Sequence, residues 1–132
     1  MRFFSLTPLL AVVFSSIAAP AQAIDVNGFR RQNGLKPMSS NATLTALAKA
    51  HAADMARRQS MDHANFFEVR AKRGVAGENV TTGCPDVQCA VQMWINSWPH
   101  RTNMLRPDFT RYGLASAVSA SGQKYWALEL GR

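Results

Sequence analysis

Residues 77–105 read GENVTTGCPDVQCAVQMWINSWPHRTNML, and their interpretation decides the fold. The first part, from Val75 to Thr82, is extended and is punctuated by Gly77 and Gly83. Pro85-Asp86 then opens a helix, because a residue without an N–H and a carboxylate both suit a first turn. Val87, Ala90, Val91, Trp94, Ile95 and Trp98 recur at helical spacing, which predicts one buried face with both tryptophans as core anchors. Pro99 ends that helix and releases His100 beyond it. A strand, a helix and then a histidine in a polar turn is the pattern of a sheet covered by helices.

The flanking sequence agrees with that reading. Tyr112 to Ala120 and Gln123 to Gly131 predict a β-hairpin about Ser121-Gly122, in which Trp126, Leu128 and Leu130 face the core and Tyr125, Ala127 and Glu129 face the other way. Upstream, Asn27 to Leu35 predicts a short helix stopped by Gly34 and Pro37. A longer helix capped by Ser40 or Asn41 runs to about Gln59, with Leu44, Leu47, Ala48, His51 and Met55 on one face. On that stripe His51 reads as an interfacial helix residue making one hydrogen bond. Phe66 to Arg73 predicts a further helical piece stopped by Gly74. Helices first and strands last define an α+β class, layered as α/β/α in a single domain.

Residues 1–23 read as a leader rather than as part of the fold. Arg2 gives a basic start, Leu6 to Ile17 is largely apolar, and Ala21-Gln22-Ala23 matches a small-residue cleavage site. Cleavage there leaves residues 24–132 as the domain, with no later apolar run of membrane length and no transmembrane anchor. The expected destination is secreted or periplasmic.

Charge and cysteine usage fit export. The chain carries 15 Lys+Arg against 8 Asp+Glu, a formal +7. Export argues against nucleic acid as a partner despite that balance. The cations are scattered in pairs, so a solvated surface or attraction to an anionic envelope polymer is the expectation. Cys84 and Cys89 lie five apart with no second pair to make a zinc site, so an oxidising compartment predicts a disulfide between them. Closing so short a loop contributes about 2 kcal/mol on the chain-entropy model.

Three segments set polar groups beside backbone punctuation: Met61-Asp62-His63, Gly77-Glu78-Asn79, and His100. Two imidazoles and a carboxylate can hold a divalent metal with an open coordination position, or work as an acid–base pair. Spacing alone leaves open whether 63, 78 and 100 meet. Asn79 reads as ordering its local turn, and Ser97 as a hydrogen bonder at a helix C-terminus.

The ordered series L-x-A-L-A-x-x-H-A-x-D-M-A from Leu44, then MDH, GEN, a helix ending in W-x-x-S, H-R-x-N-M-L and a final YG…YWxLxLG resembles the CAP superfamily. That superfamily takes in the cysteine-rich secretory, antigen and pathogenesis-related proteins, and the chain is similar to its small bacterial SCP-like branch. The resemblance covers about Asn27 to Gly131 and implies an α-β-α sandwich with a cavity holding His63, Glu78 and His100. It implies His63 and His100 as candidate ligands of a metal such as zinc, and Glu78 as a further ligand or as a support behind one. Two departures stand out. Family members often carry a second glutamate near the helix tryptophan, where this chain has Trp94-Ile95-Asn96-Ser97, and SWPH replaces the common S-P-G-H.

Capture of a small or lipidic ligand, with or without metal, is the leading functional expectation. The family includes lipid-binding members. An envelope interaction module without cavity chemistry follows, and a metal- or histidine-assisted hydrolase comes third, so a conventional enzyme is not the favoured reading. None of these readings requires a cofactor.

Overall fold

The computed structural model describes residues 24–132, together with Val13 and Ser15. The expected leader therefore lies outside the described residues except at those two positions. The elements are α1 (Val26–Gln32), β1 (Ser39–Ser40), α2 (Ala42–Arg58), β2 (Gly77–Thr82), α3 (Val87–Ile95), α4 (Trp98–Met104), β3 (Arg111–Val118) and β4 (Lys124–Gly131). Between α2 and β2 lie a π-helical turn, Phe66–Arg70, and a 3₁₀ turn, Ala71–Arg73.

The sheet runs β1-β3-β4-β2, with β1 parallel to β3 and both other pairings antiparallel. Helix α2 packs on β3 and β4 on one face, where Ala48, Ala52, Met55 and Ala56 meet Val80, Tyr125 and Ala127. Helices α1, α3 and α4 cover the other face, where Val26, Phe29, Val91, Trp94 and Met104 pack with Trp126, Leu128 and Leu130. This is the expected α-β-α sandwich in one domain. Among the described residues no helix is long and apolar enough to cross a membrane.

The helices start where their caps dictate. Asn41 accepts from the Leu44 N–H, and Asp86 accepts from the Cys89 N–H at 2.9 Å, each satisfying a donor that has no partner within the helix. Close approach of α2 to the sheet depends on Gly113. A Cβ at that position would overlap the backbone of Leu44 and Thr45.

Four local expectations are corrected. The helix from Val87 stops at Ile95, and a separate helix begins at Trp98 with Ser97 as its N-cap and Pro99 in its first turn. Pro99 thus starts a helix instead of freeing His100, because a first-turn residue needs no N–H partner. Trp98 consequently points outward, 70% exposed, while Trp94 is buried and donates to the Val80 carbonyl at 3.1 Å. The 66–73 segment is a π turn followed by a 3₁₀ turn rather than an α-helix. Gly77 begins β2 instead of interrupting it, and β4 is buried on both faces because helices lie above and below it.

Candidate functional site

Glu78 is the hub of the site. It stands on β2, directly across from Glu129 on β4 and on the α2 side of the sheet. Its carboxylate is 2% exposed and accepts from His63 Nδ1 at 2.7 Å. Arg70 donates to it twice, a short bond from Nε to Oε2 and one from Nη2 to Oε1 at 2.9 Å. The π turn delivers Arg70 inward, and Arg70 Nη1 also ties the backbone at the Ala64 carbonyl, 2.9 Å away. His51 Nε2 lies 3.5 Å from Glu78 Oε1 and 2.8 Å from the Asp62 carbonyl.

Burial by itself would raise the Glu78 carboxyl, but hydrogen bonds from His63 and Arg70 outweigh it and hold the group below the usual carboxylate range. Glu129 behaves oppositely. It is fully buried, and neither carboxyl oxygen has a well-formed hydrogen bond, although Oε1 lies 3.5 Å from Arg70 Nε. Burial and the adjacent Glu78 charge push its carboxyl far up, so Glu129 is held neutral. Two carboxyls that close share one negative charge. Burial lowers His51, which is therefore neutral, and the hydrogen bond to Glu78 raises His63.

His63 reaches the site from a wall pinned by Asp62, whose carboxylate takes both ends of the Arg58 guanidinium at 2.8 and 2.9 Å. Its ring is about half exposed (54%) and lines a cleft of about 310 Å³ with Phe66, Phe67 and Glu78. His100 comes from the other side of the sheet, on α4. The outer edge of β2 separates the two walls, and Asn79 and Asn103 lace them together. Asn79 Nδ2 donates to the His100 carbonyl at 2.9 Å, and Asn103 Nδ2 donates to Asn79 Oδ1 at 3.0 Å. The His100 ring pairs through Nδ1 with Ser97 Oγ at 2.9 Å. Burial lowers His100, and charge on nearby His63 lowers it further.

The structure therefore joins His63 directly to Glu78 and sets His100 across the strand edge, bonded to neither. Each imidazole uses Nδ1, and neither Nε2 has a protein partner among the described residues. Among those residues no three His, Cys, Asp or Glu side chains form a complete metal site. The ring nitrogens left unpartnered are Nε2 of His63 and of His100, with Glu78 committed to orienting His63. Cys84 and Cys89 are bonded, with Cα atoms 5.4 Å apart, at the junction of β2 and α3.

Sequence reasoning missed three members of this cluster. His51 lay on a helical stripe and read as interfacial, yet it abuts Glu78. Arg70 sat in a segment read as plain helix. Glu129 followed strand alternation, and only its charge on an inward position could have marked it. Asn79 bridges two elements rather than ordering its own turn. Ser97 stands at the N-cap position of α4 rather than at a helix C-terminus, its hydroxyl paired with His100.

The fold and the site together define a CAP domain. Residues 24–130 match the family model for the cysteine-rich secretory protein family, and the chain belongs to that family. It is 34% identical over 104 residues to YkwD of Bacillus subtilis, a match covering 72% of this chain and 40% of YkwD, so the chain spans well under half of that relative's length. An extracellular SCP-domain protein of Bacillus anthracis superposes with a TM-score of 0.67 at 27% identity, over 81% of this chain and 37% of that one. The structure of NaASP2 with Zn²⁺ superposes at 0.56 and 16% identity, over 74% and 60% of the two chains.

Proposed function

We propose that the chain is an exported ligand-binding domain whose cleft takes a small or lipidic molecule, with His63 and His100 as its polar contacts. The observation that carries this reading is the half-exposed His63 ring, fixed through Nδ1 by buried Glu78 beside Phe66 and Phe67. An apolar cleft with a few positioned polar groups is the usual form of a small-molecule site. The leader expected at residues 1–23 supplies export.

The same two imidazoles would hold a divalent ion such as zinc through Nε2. The zinc-containing relative supports that extension. A bound ion would supply Lewis-acid attraction for an anionic or carbonyl oxygen of the ligand. The chain's own part is to fix the orientation of both rings, with burial favouring the neutral form of His100. Glu78 accepts a hydrogen bond from His63 Nδ1–H, and Ser97 pairs with His100 Nδ1.

Hydrolysis is less well supported. Ser97 and His100 do pair at 2.9 Å, but they are the N-cap and third residue of one helix, and no carboxylate among the described residues orients the far nitrogen of His100.

Organic extraction and mass spectrometry of the tag-free chain from Ile24 onward, which carries every described helix and strand, test the reading. The expected result is a bound amphiphile that is lost in His63→Ala. A chain that carries no ligand, and takes up none from a lipid extract, contradicts it.

A further inference from the structure

In the folded part, the large apolar side chains left exposed among the described residues are Met61, Phe67, Val69, Met93, Trp98 and Val118. Four of the six lie within six residues of His63 or His100 in the chain. Phe67 lines the His63 cleft, Met61 stands two residues before His63, Val69 lines a separate pocket with His51 and Asp54, and Trp98 stands two residues before His100. Phe67 and Trp98 are 75% and 70% exposed, and Phe67 itself lines the cleft. Exposed cations follow on each wall, Lys72 and Arg73 after the π turn and Arg101 one residue past His100. Glu68 is the acid among them, exposed on the same turn, while Asp62 is engaged by Arg58. Large exposed aromatics rimmed by Lys and Arg match the boundary of a bilayer, where rings sit at headgroup depth and cations meet anionic lipid.

We propose that the mouth of the cleft is a docking face for an anionic lipid bilayer, with Phe67 and Trp98 entering the interface and Lys72, Arg73 and Arg101 contacting headgroups. This deepens the ligand-binding reading and rests on it for its purpose, since docking would bring the cleft to its lipidic ligand. Elsewhere Met93 and Val118 stand apart from such a grouping. The remaining exposed cations are scattered or paired, as Arg57 is with Asp54.

Vesicle flotation with the tag-free chain from Ile24 tests it, using phosphatidylglycerol–phosphatidylcholine vesicles against pure phosphatidylcholine. Wild type should float with the anionic vesicles, and binding should fall as salt rises. Each cation at the surface contributes about a fivefold factor. Lys72→Gln with Arg73→Gln should therefore lower partitioning about 25-fold. Phe67→Ser with Trp98→Ser should lower it by at least about tenfold, and Phe67→Leu with Trp98→Phe should restore it. All of these positions are exposed, so unfolding midpoints should stay at wild type.

Absent flotation of wild type, or undiminished flotation of both the cation and the aromatic variants, overturns the proposal. Extraction separates it from the reading it deepens. Flotation without bound lipid leaves docking standing and removes the ligand reading. Bound lipid without flotation does the reverse.

Discussion

Replacing Arg70 with methionine is expected to destabilise the domain by about 3–5 kcal/mol at neutral pH. Methionine keeps most of the volume but removes both hydrogen bonds to Glu78 and the bond to the Ala64 carbonyl. Glu78 is then a buried carboxylate beside a second buried carboxyl, and leaving one charge of a buried pair unmatched costs about that much. The freed carbonyl adds about 1 kcal/mol. Such a loss is about a fifth or more of the roughly 5–15 kcal/mol that holds a typical domain.

The pH dependence has a definite sign. Glu78 is held below its ordinary 4.5, so its stabilisation is present above that value and is lost as pH falls through it toward the lower folded value. The Arg70→Met deficit should therefore be largest near neutrality and shrink on acidification. Urea unfolding followed by tryptophan fluorescence gives the number. With a slope of about 1–3 kcal/mol per molar, the midpoint should drop by about 1 M or more at pH 7. A loss under about 1 kcal/mol, unchanged between pH 7 and pH 4, would refute the dependence of Glu78 on Arg70.

Glu129 is held above its ordinary 4.5, so it favours folding below that value and works against it as pH rises. Glu129→Gln should raise the unfolding midpoint at pH 7 more than at pH 4, and equal shifts at both pH values would contradict a neutral Glu129. Gly113→Ala should unfold the domain or lift α2 off the sheet, seen as lost near-ultraviolet dichroism. Arg30→Met removes a buried guanidinium bonded to the Lys36, Met104, Arg106 and Phe109 carbonyls. It should cost about 3 kcal/mol or more by urea unfolding. Reduction of Cys84–Cys89 should lower stability by about 2 kcal/mol while leaving far-ultraviolet dichroism intact, since the loop it closes is short.

Three of the four strands and three of the four helices were legible because their apolar spacing and caps are local signals. The two-residue β1, Ser39–Ser40, is too short to carry one. Of the two caps offered, Ser40 and Asn41, the structure uses Asn41. Pro85-Asp86 stands just before the helix rather than in its first turn, with Asp86 as N-cap. The hairpin about Ser121-Gly122 fell within a residue or two. The division of α3 from α4 was hidden, because apolar spacing continues through Trp98 and Pro99 fits a helix start as well as a stop. The site was half legible. His63 and Glu78 stood in recognisable motifs, but the partners of Glu78 come from α2, the π turn and β4, and no periodicity links positions so far apart. His51 in particular has the spacing of a core residue and becomes polar machinery only through Asp62 and Glu78.

The central claim is that His63 and His100 present open nitrogens to one binding cleft. Calorimetric titration of Zn²⁺ into the tag-free chain, beside His63→Ala and His100→Ala, tests it most directly. One ion should bind wild type, and either substitution should weaken binding severely, because two imidazoles are the donors on offer. Binding should also fade as pH drops, because a protonated ring has no lone pair to give. The fall should begin above the ordinary histidine value of ~6.5, because the hydrogen bond to Glu78 raises His63. Equal Zn²⁺ binding by all three proteins, or none by wild type, would contradict the account.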